Sequence, residues 1–104
     1  MKYYRMHFSC GIAHGVKENK YFGFSDSWTE EDIKWFFHEE ATAFSRKYSY
    51  LANFPNPEDY EYEDDYDDAL EKIVQNWELK VENYSFFEEI DKEEWEDYNG
   101  EIIE

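Results

Sequence analysis

This 104-residue chain has little that could staple or kink it: one cysteine, two prolines and four glycines. A single thiol, Cys10, excludes an intramolecular disulfide framework and fits a reducing compartment. Both prolines fall within Asn53-Phe54-Pro55-Asn56-Pro57, so they mark one boundary. No apolar run approaches the roughly 20 residues that a membrane span needs. Met1-Lys2-Tyr3-Tyr4-Arg5 leads into no apolar stretch of the secretory type. The scarcest commodity is positive charge in the second half. Residues 53–104 hold three bases, Lys72, Lys80 and Lys92, against twenty acids, whereas residues 1–52 hold seven of each. The whole formal net charge of −17 therefore belongs to the second half. That imbalance is repelled by free nucleic acid and by anionic membrane surfaces, which argues against both as direct partners. It favours a strongly positive protein surface instead.

Aromatic residues make up 22% of the chain, which separates it from disordered acidic chains, where they are rare. Each buries about 150–250 Å² and can dominate a small core. The length suits one domain over 1–104, with the charge-balanced half 1–52 and the acidic half 53–104 as two faces or two ends of it. Residues 2–10 alternate, with Tyr4, Met6, Phe8 and Cys10 on one side and Tyr3, Arg5, His7 and Ser9 on the other, which predicts a half-buried strand. Gly11–Asn19 reads as a loop and Lys20–Phe24 as a second, short strand. Ser27 with Glu30 predicts a capped helix start. The stripe Ile33, Phe37, Ala41, Phe44, Tyr48 and Leu51 carries that helix to the Asn53–Pro57 stop. A second helix is predicted at about 63–77 from Tyr66, Ala69 or Leu70, Ile73 or Val74, and Trp77. A strand is predicted around 78–89, then a short helix from Asp91 carrying Trp95 and Tyr98, ended by Asn99-Gly100. Glu101–Glu104 reads as a tail or edge strand. The predicted class is α+β: a small antiparallel sheet with two main helices packed on one face.

The densest charge is Glu58 to Glu71, with Glu58, Asp59, Glu61, Glu63, Asp64, Asp65, Asp67, Asp68 and Glu71 interleaved by Tyr60, Tyr62 and Tyr66. If wholly helical, the run spans about 21 Å, or about one carboxylate per 2.3 Å. Fully extended it would carry only about one per 5 Å. Duplex DNA presents roughly one charge per 1.7 Å, so only the helix approaches it. The acids at 88, 89, 91, 93, 94, 96, 97 and 101 would add a second row, and folding could set the two side by side. Tyrosines among carboxylates suit stacking on the arginines of a basic groove. A lone charge run is ordinarily a solvated face. Here the bias extends over half the chain.

The Glu58–Glu71 run with its tyrosines and the Glu88–Glu104 acids resemble, in composition, the small acidic phage proteins that mimic nucleic acid, the anti-restriction and anti-CRISPR class. That resemblance covers about half the chain and implies a stoichiometric inhibitor without chemistry or cofactor, acting in the cytoplasm of an infected bacterium. Its target would be the positive DNA or RNA groove of a defence nuclease, such as a Cas9-type effector or a restriction enzyme. The implied contact residues are those twelve from Glu58 to Glu71 together with Glu93, Glu94, Glu96 and Asp97. The alternative is an acidic adaptor that binds a basic host protein without displacing nucleic acid.

Other chemistry finds less support. Cys10 with His7 or His14 is outweighed by the placement of Cys10 on an apolar strand face and His7 on the opposite one. Zinc through His7, Cys10, His14 and His38 fits no usual spacing. The Asp59–Asp68 run has Asp64 where a calcium loop needs glycine. No phosphate-binding glycine loop or nucleophile elbow is present.

Overall fold

The computed structural model describes residues 1–11, 15–52 and 54–104. Strand β1 (Lys2–Ser9) pairs antiparallel with β2 (Lys17–Phe24), from Lys2 opposite Phe24 to Ser9 opposite Lys17. β2 starts three residues before the predicted point, because its polar first turn of sequence is held by pairing with β1. A third strand, β3 (Phe86–Ile90), adds antiparallel to the other edge of β1. The short β4 (Glu101–Ile103) lies along β2. The order is β3-β1-β2-β4. β4 runs parallel to β2, so the sheet is mixed rather than wholly antiparallel. The chain leaves β3 at one edge, crosses the sheet and re-enters at the other edge in the same direction.

The α+β class holds, with two main helices on one face. Helix α1 (Glu30–Lys47) is capped by Thr29, not Ser27. The Thr29 hydroxyl accepts from the Asp32 N–H at 3.2 Å, and the Asp32 carboxylate accepts from the Thr29 N–H at 3.0 Å. The same Ser/Thr-x-x-acid pattern occurs twice, two residues apart, and Ser27 is instead bonded to Ser25 within the preceding turn. Helix α1 ends at Lys47 and a 3-10 turn follows at Ser49–Leu51.

Helix α2 (Glu63–Tyr84) is longer than predicted and absorbs most of the expected strand. Ile73, Trp77, Val81 and Tyr84 recur at helical spacing, and Leu79, which suggested strand alternation, is exposed. Ser85 ends it: its hydroxyl donates to the Val81 carbonyl and accepts from the Ser9 N–H, tying the helix end to β1. Helix α2 runs antiparallel to α1, since His38 faces Glu82 while the Trp77 indole N–H donates to the Ser45 carbonyl at 2.8 Å.

Tyr4, Met6, Phe8 and Cys10 of the first strand and its end meet Phe22, Phe24, Ile33, Phe37, Ala41, Phe44, Trp77 and Val81 in one core. Short helix α3 (Lys92–Asp97), capped by Asp91, lies on the opposite sheet face. There Trp95 packs on Tyr3 and Tyr98 stacks flat on Tyr21. Asn99, at φ 52°, and Gly100 close it with bonds to the Glu96 and Trp95 carbonyls, a Schellman ending. A Cβ on Gly100 would come within 2.1 Å of the Trp95 indole nitrogen. Gly100→Ala is therefore expected to push Trp95 off Tyr3 and cost about 1–3 kcal/mol, read from thermal unfolding.

Candidate functional site

Helix α2 begins without a side-chain cap: Tyr62 occupies the N-cap position and offers no hydrogen bond. Glu63, Asp64 and Asp65 fill the first turn, where the helix dipole is positive. Carboxylates are stabilised there by about 0.3–1 kcal/mol each, which offsets part of their mutual repulsion. Asp67, Asp68 and Glu71 follow, and all six are exposed. Over Glu63–Glu71 the helix rises about 12 Å, so the density is about one carboxylate per 2 Å.

A row runs on from them. Asp64, Asp68, Glu71, Gln75, Glu78 and Glu82 succeed one another at spacings of four and three, which stacks them along one flank for about 27 Å. Within it the Gln75 amide donates to Glu71 at 3.4 Å. Glu78 and Glu82 were missed in the sequence because 78–89 read as strand, although their distances of seven and eleven from Glu71 were the available signal.

Only two residues of α2, Trp77 and Val81, are buried, and both lie in its second half. The first half runs past Ser49, where α1 has ended, and is met there by the 54–60 segment, with Tyr60 edge-on to Tyr66. The molecule measures 56 × 27 × 17 Å, with a radius of gyration of 17.1 Å. A compact chain of this length would have about 13 Å.

Six acids elsewhere lie within salt-bridge distance of a basic group. Glu18 pairs with Lys47, Glu40 with Lys20, Glu88 with Arg5, Asp26 with the N-terminal amine, Glu82 with His38 and Glu96 with Lys92. Among the described residues, no acid from Glu58 to Glu71 has an ion pair. The nearest base along the chain is Lys72, which follows the run on the same helix.

The other expected contact residues are distributed unequally. Glu58 and Asp59 sit in a 3-10 turn, Pro57–Asp59, opened by the Asn56 side chain accepting from the Glu58 N–H. Tyr60, Glu61 and Tyr62 lead into α2, so the run is helical only from Glu63. Tyr62 is 65% exposed and available for stacking; Tyr66 is turned partly inward. Glu93, Glu94, Glu96 and Asp97 belong to α3, on the far face of the sheet. Helix α3 stands on Tyr3, near where α1 begins; the Glu63–Glu71 turns lie past the end of α1. The two acidic segments thus do not lie side by side, because the sheet separates them.

Cys10 is fully buried, and burial pushes its thiol up, against a smaller opposing effect of Lys80. His7 lies on the other sheet face, with its Nδ1 2.8 Å from Asn19 Oδ1. His14 lies outside the described residues. Among those described, no group of three or more potential ligands could hold a metal ion. Native Cys10 is expected to resist thiol reagents: an opening free energy of only ~3 kcal/mol slows labelling about 100-fold relative to the unfolded chain. Equal labelling rates with and without denaturant would contradict its burial.

No helix among the described residues is long and apolar enough to cross a membrane. Comparison with family models, curated proteins and solved structures finds no match to this chain.

Proposed function

We propose that this protein is a stoichiometric inhibitor that mimics nucleic acid and fills the positively charged DNA- or RNA-binding groove of a bacterial defence nuclease. A CRISPR effector of the Cas9 type and a restriction enzyme both offer such a groove. The inhibitor acts in the cytoplasm of an infected host and catalyses nothing. The observation that carries this reading is the end of α2: six exposed carboxylates in nine residues, at near-duplex linear density, none of them in an ion pair among the described residues. A groove built to bind phosphates would find there a helix of matching linear charge density. Exposed Tyr62 adds an aromatic face for an arginine.

One observation favours the second reading, an acidic adaptor on a basic host protein. Because α3 lies across the sheet from α2, the acids form one ridge and not the paired ridges of a duplex. Competition separates the two. The protein is used to capture its partner from host lysate in low salt, and the pair is then challenged with nucleic acid. Mimicry requires that duplex or guide RNA displace the protein, and that binding fall steeply between 0.1 M and 1 M salt, as the screening length drops from about 10 Å to about 3 Å. A stable ternary complex of partner, nucleic acid and this protein would replace mimicry by the adaptor.

A further inference from the structure

The charge-balanced half carries a cavity that the acidic ridge does not explain. It measures about 470 Å³ and lies on the first three turns of α1, lined by Ser27, Trp28, Asp32, Trp35, Phe36 and Glu39. Its floor is aromatic: the Trp28 and Phe36 rings meet edge to face at 5.9 Å, and both pack on the buried Phe24. Its wall is the Trp35 indole, 63% exposed, with His38 edge-on at 5.9 Å on the other side. Asp32 and Glu39 flank Trp35 along the helix, one turn on either side. The Thr29 N–H and hydroxyl hold the Asp32 carboxyl below its usual range, so it stays ionised at neutral pH. Among the described residues neither carboxylate has an ion pair. A large exposed indole is a poor solubilising residue and an effective binding anchor.

We infer that this cavity binds an arginine side chain projecting from a basic protein partner, with the guanidinium flat on Trp35 between the Asp32 and Glu39 carboxylates. The aromatic surface takes the planar cation by stacking, and the two carboxylates on its flanks accept its N–H groups. An ammonium cannot stack in this way, and an uncharged ligand leaves both carboxylates uncompensated. Helical geometry turns Asp32, Phe36 and Glu39 away from His38 and Ser45, which face α2, and Trp35 meets that side only through the edge of the His38 ring. The site therefore holds whether or not α2 competes with nucleic acid, and it gives the charge-balanced half a contact surface of its own.

The test is a titration of the ¹⁵N-labelled full chain with N-acetylarginine amide, against N-acetylcitrulline amide as the uncharged isostere. The Trp35 and Trp28 indole N–H resonances are expected to move saturably with the arginine compound, while that of Trp95 stays in place. Trp35→Ala and Glu39→Gln, both exposed replacements, should each weaken the arginine Kd at least fivefold. The inference is overturned if citrulline moves the same resonances equally. It is overturned too if both variants keep the wild-type Kd, or if arginine shifts α2 amides and leaves the indoles unmoved.

Discussion

If the proposed mimicry holds, reversing Asp64, Asp65, Asp67 and Asp68 to lysine is expected to weaken partner binding at least 100-fold and abolish the proposed inhibition while the fold survives. Close charge pairs at protein interfaces are coupled by about 1.5–7 kcal/mol, and a 100-fold loss is only about 2.8 kcal/mol. Each lysine also turns an attraction into a repulsion. All four side chains are exposed, and none touches the Trp77–Val81 region that anchors α2. The structural cost is confined to the helix dipole at Asp64 and Asp65, about 0.3–1 kcal/mol each. It is opposed by relief of self-repulsion, since the net charge falls to about −9. Circular dichroism and the unfolding midpoint should stay within a few degrees of wild type. The geometry divides the effect further: Asp64 and Asp68 stand on the carboxylate row, whereas Asp65 points to another flank. The pair Asp64→Lys with Asp68→Lys should therefore account for most of the loss, and Asp65→Lys for little. Inhibition undiminished in the fourfold variant would remove the acidic helix end from the mechanism.

The second large effect lies in the core. Trp77→Ala is expected to destabilise the protein by about 4 kcal/mol, a large share of the about 5–15 kcal/mol that holds a typical domain. Trp77 is 6% exposed and is one of two buried residues by which α2 holds its place. Its indole N–H also satisfies the Ser45 carbonyl, whose loss adds the cost of an unpaired buried acceptor. In a domain of this size each kcal/mol moves the midpoint by roughly 4–8 °C, so thermal unfolding reads the change easily. Trp77→Phe keeps most of the apolar surface and loses the bond, and should cost about 1–2 kcal/mol while the folded protein binds its partner as before. The comparison separates anchoring of the acidic helix from contact with the partner. A destabilisation below ~1 kcal/mol in Trp77→Ala would mean that α2 is held by something other than this side chain.

The elements legible in the chain were those with a strong single period. The β1 alternation through Tyr4, Met6 and Phe8 and the α1 stripe from Ile33 to Phe44 are both borne out by burial. Each faces a core on one side and water on the other, so the period is written directly in the residue types. The end of α2 reads as strand in the sequence because Leu79, Val81 and the aromatic run after it match strand alternation locally. Packing against α1 decides for helix, and the signal for that lies in Ser45 and His38, more than thirty residues away. The cap at Thr29 was displaced for a similar reason. Two equivalent patterns compete in the sequence, and the Ser25–Ser27 turn settles which one is free to cap.

The charge step at the Asn53–Pro57 boundary, the helical density of Glu63–Glu71 and the α+β class belong to the sequence. They follow from composition and periodicity, which act within a few residues along the chain. Tertiary structure decided which acids share a surface. It set α2 and α3 on opposite faces of the sheet, extended the carboxylate row to Glu82, and among the described residues brought no base into an ion pair with Glu58–Glu71. It also gathered Trp28, Trp35 and Phe36 between two carboxylates. Those outcomes depend on which elements pack together, and packing joins residues that the linear chain keeps apart.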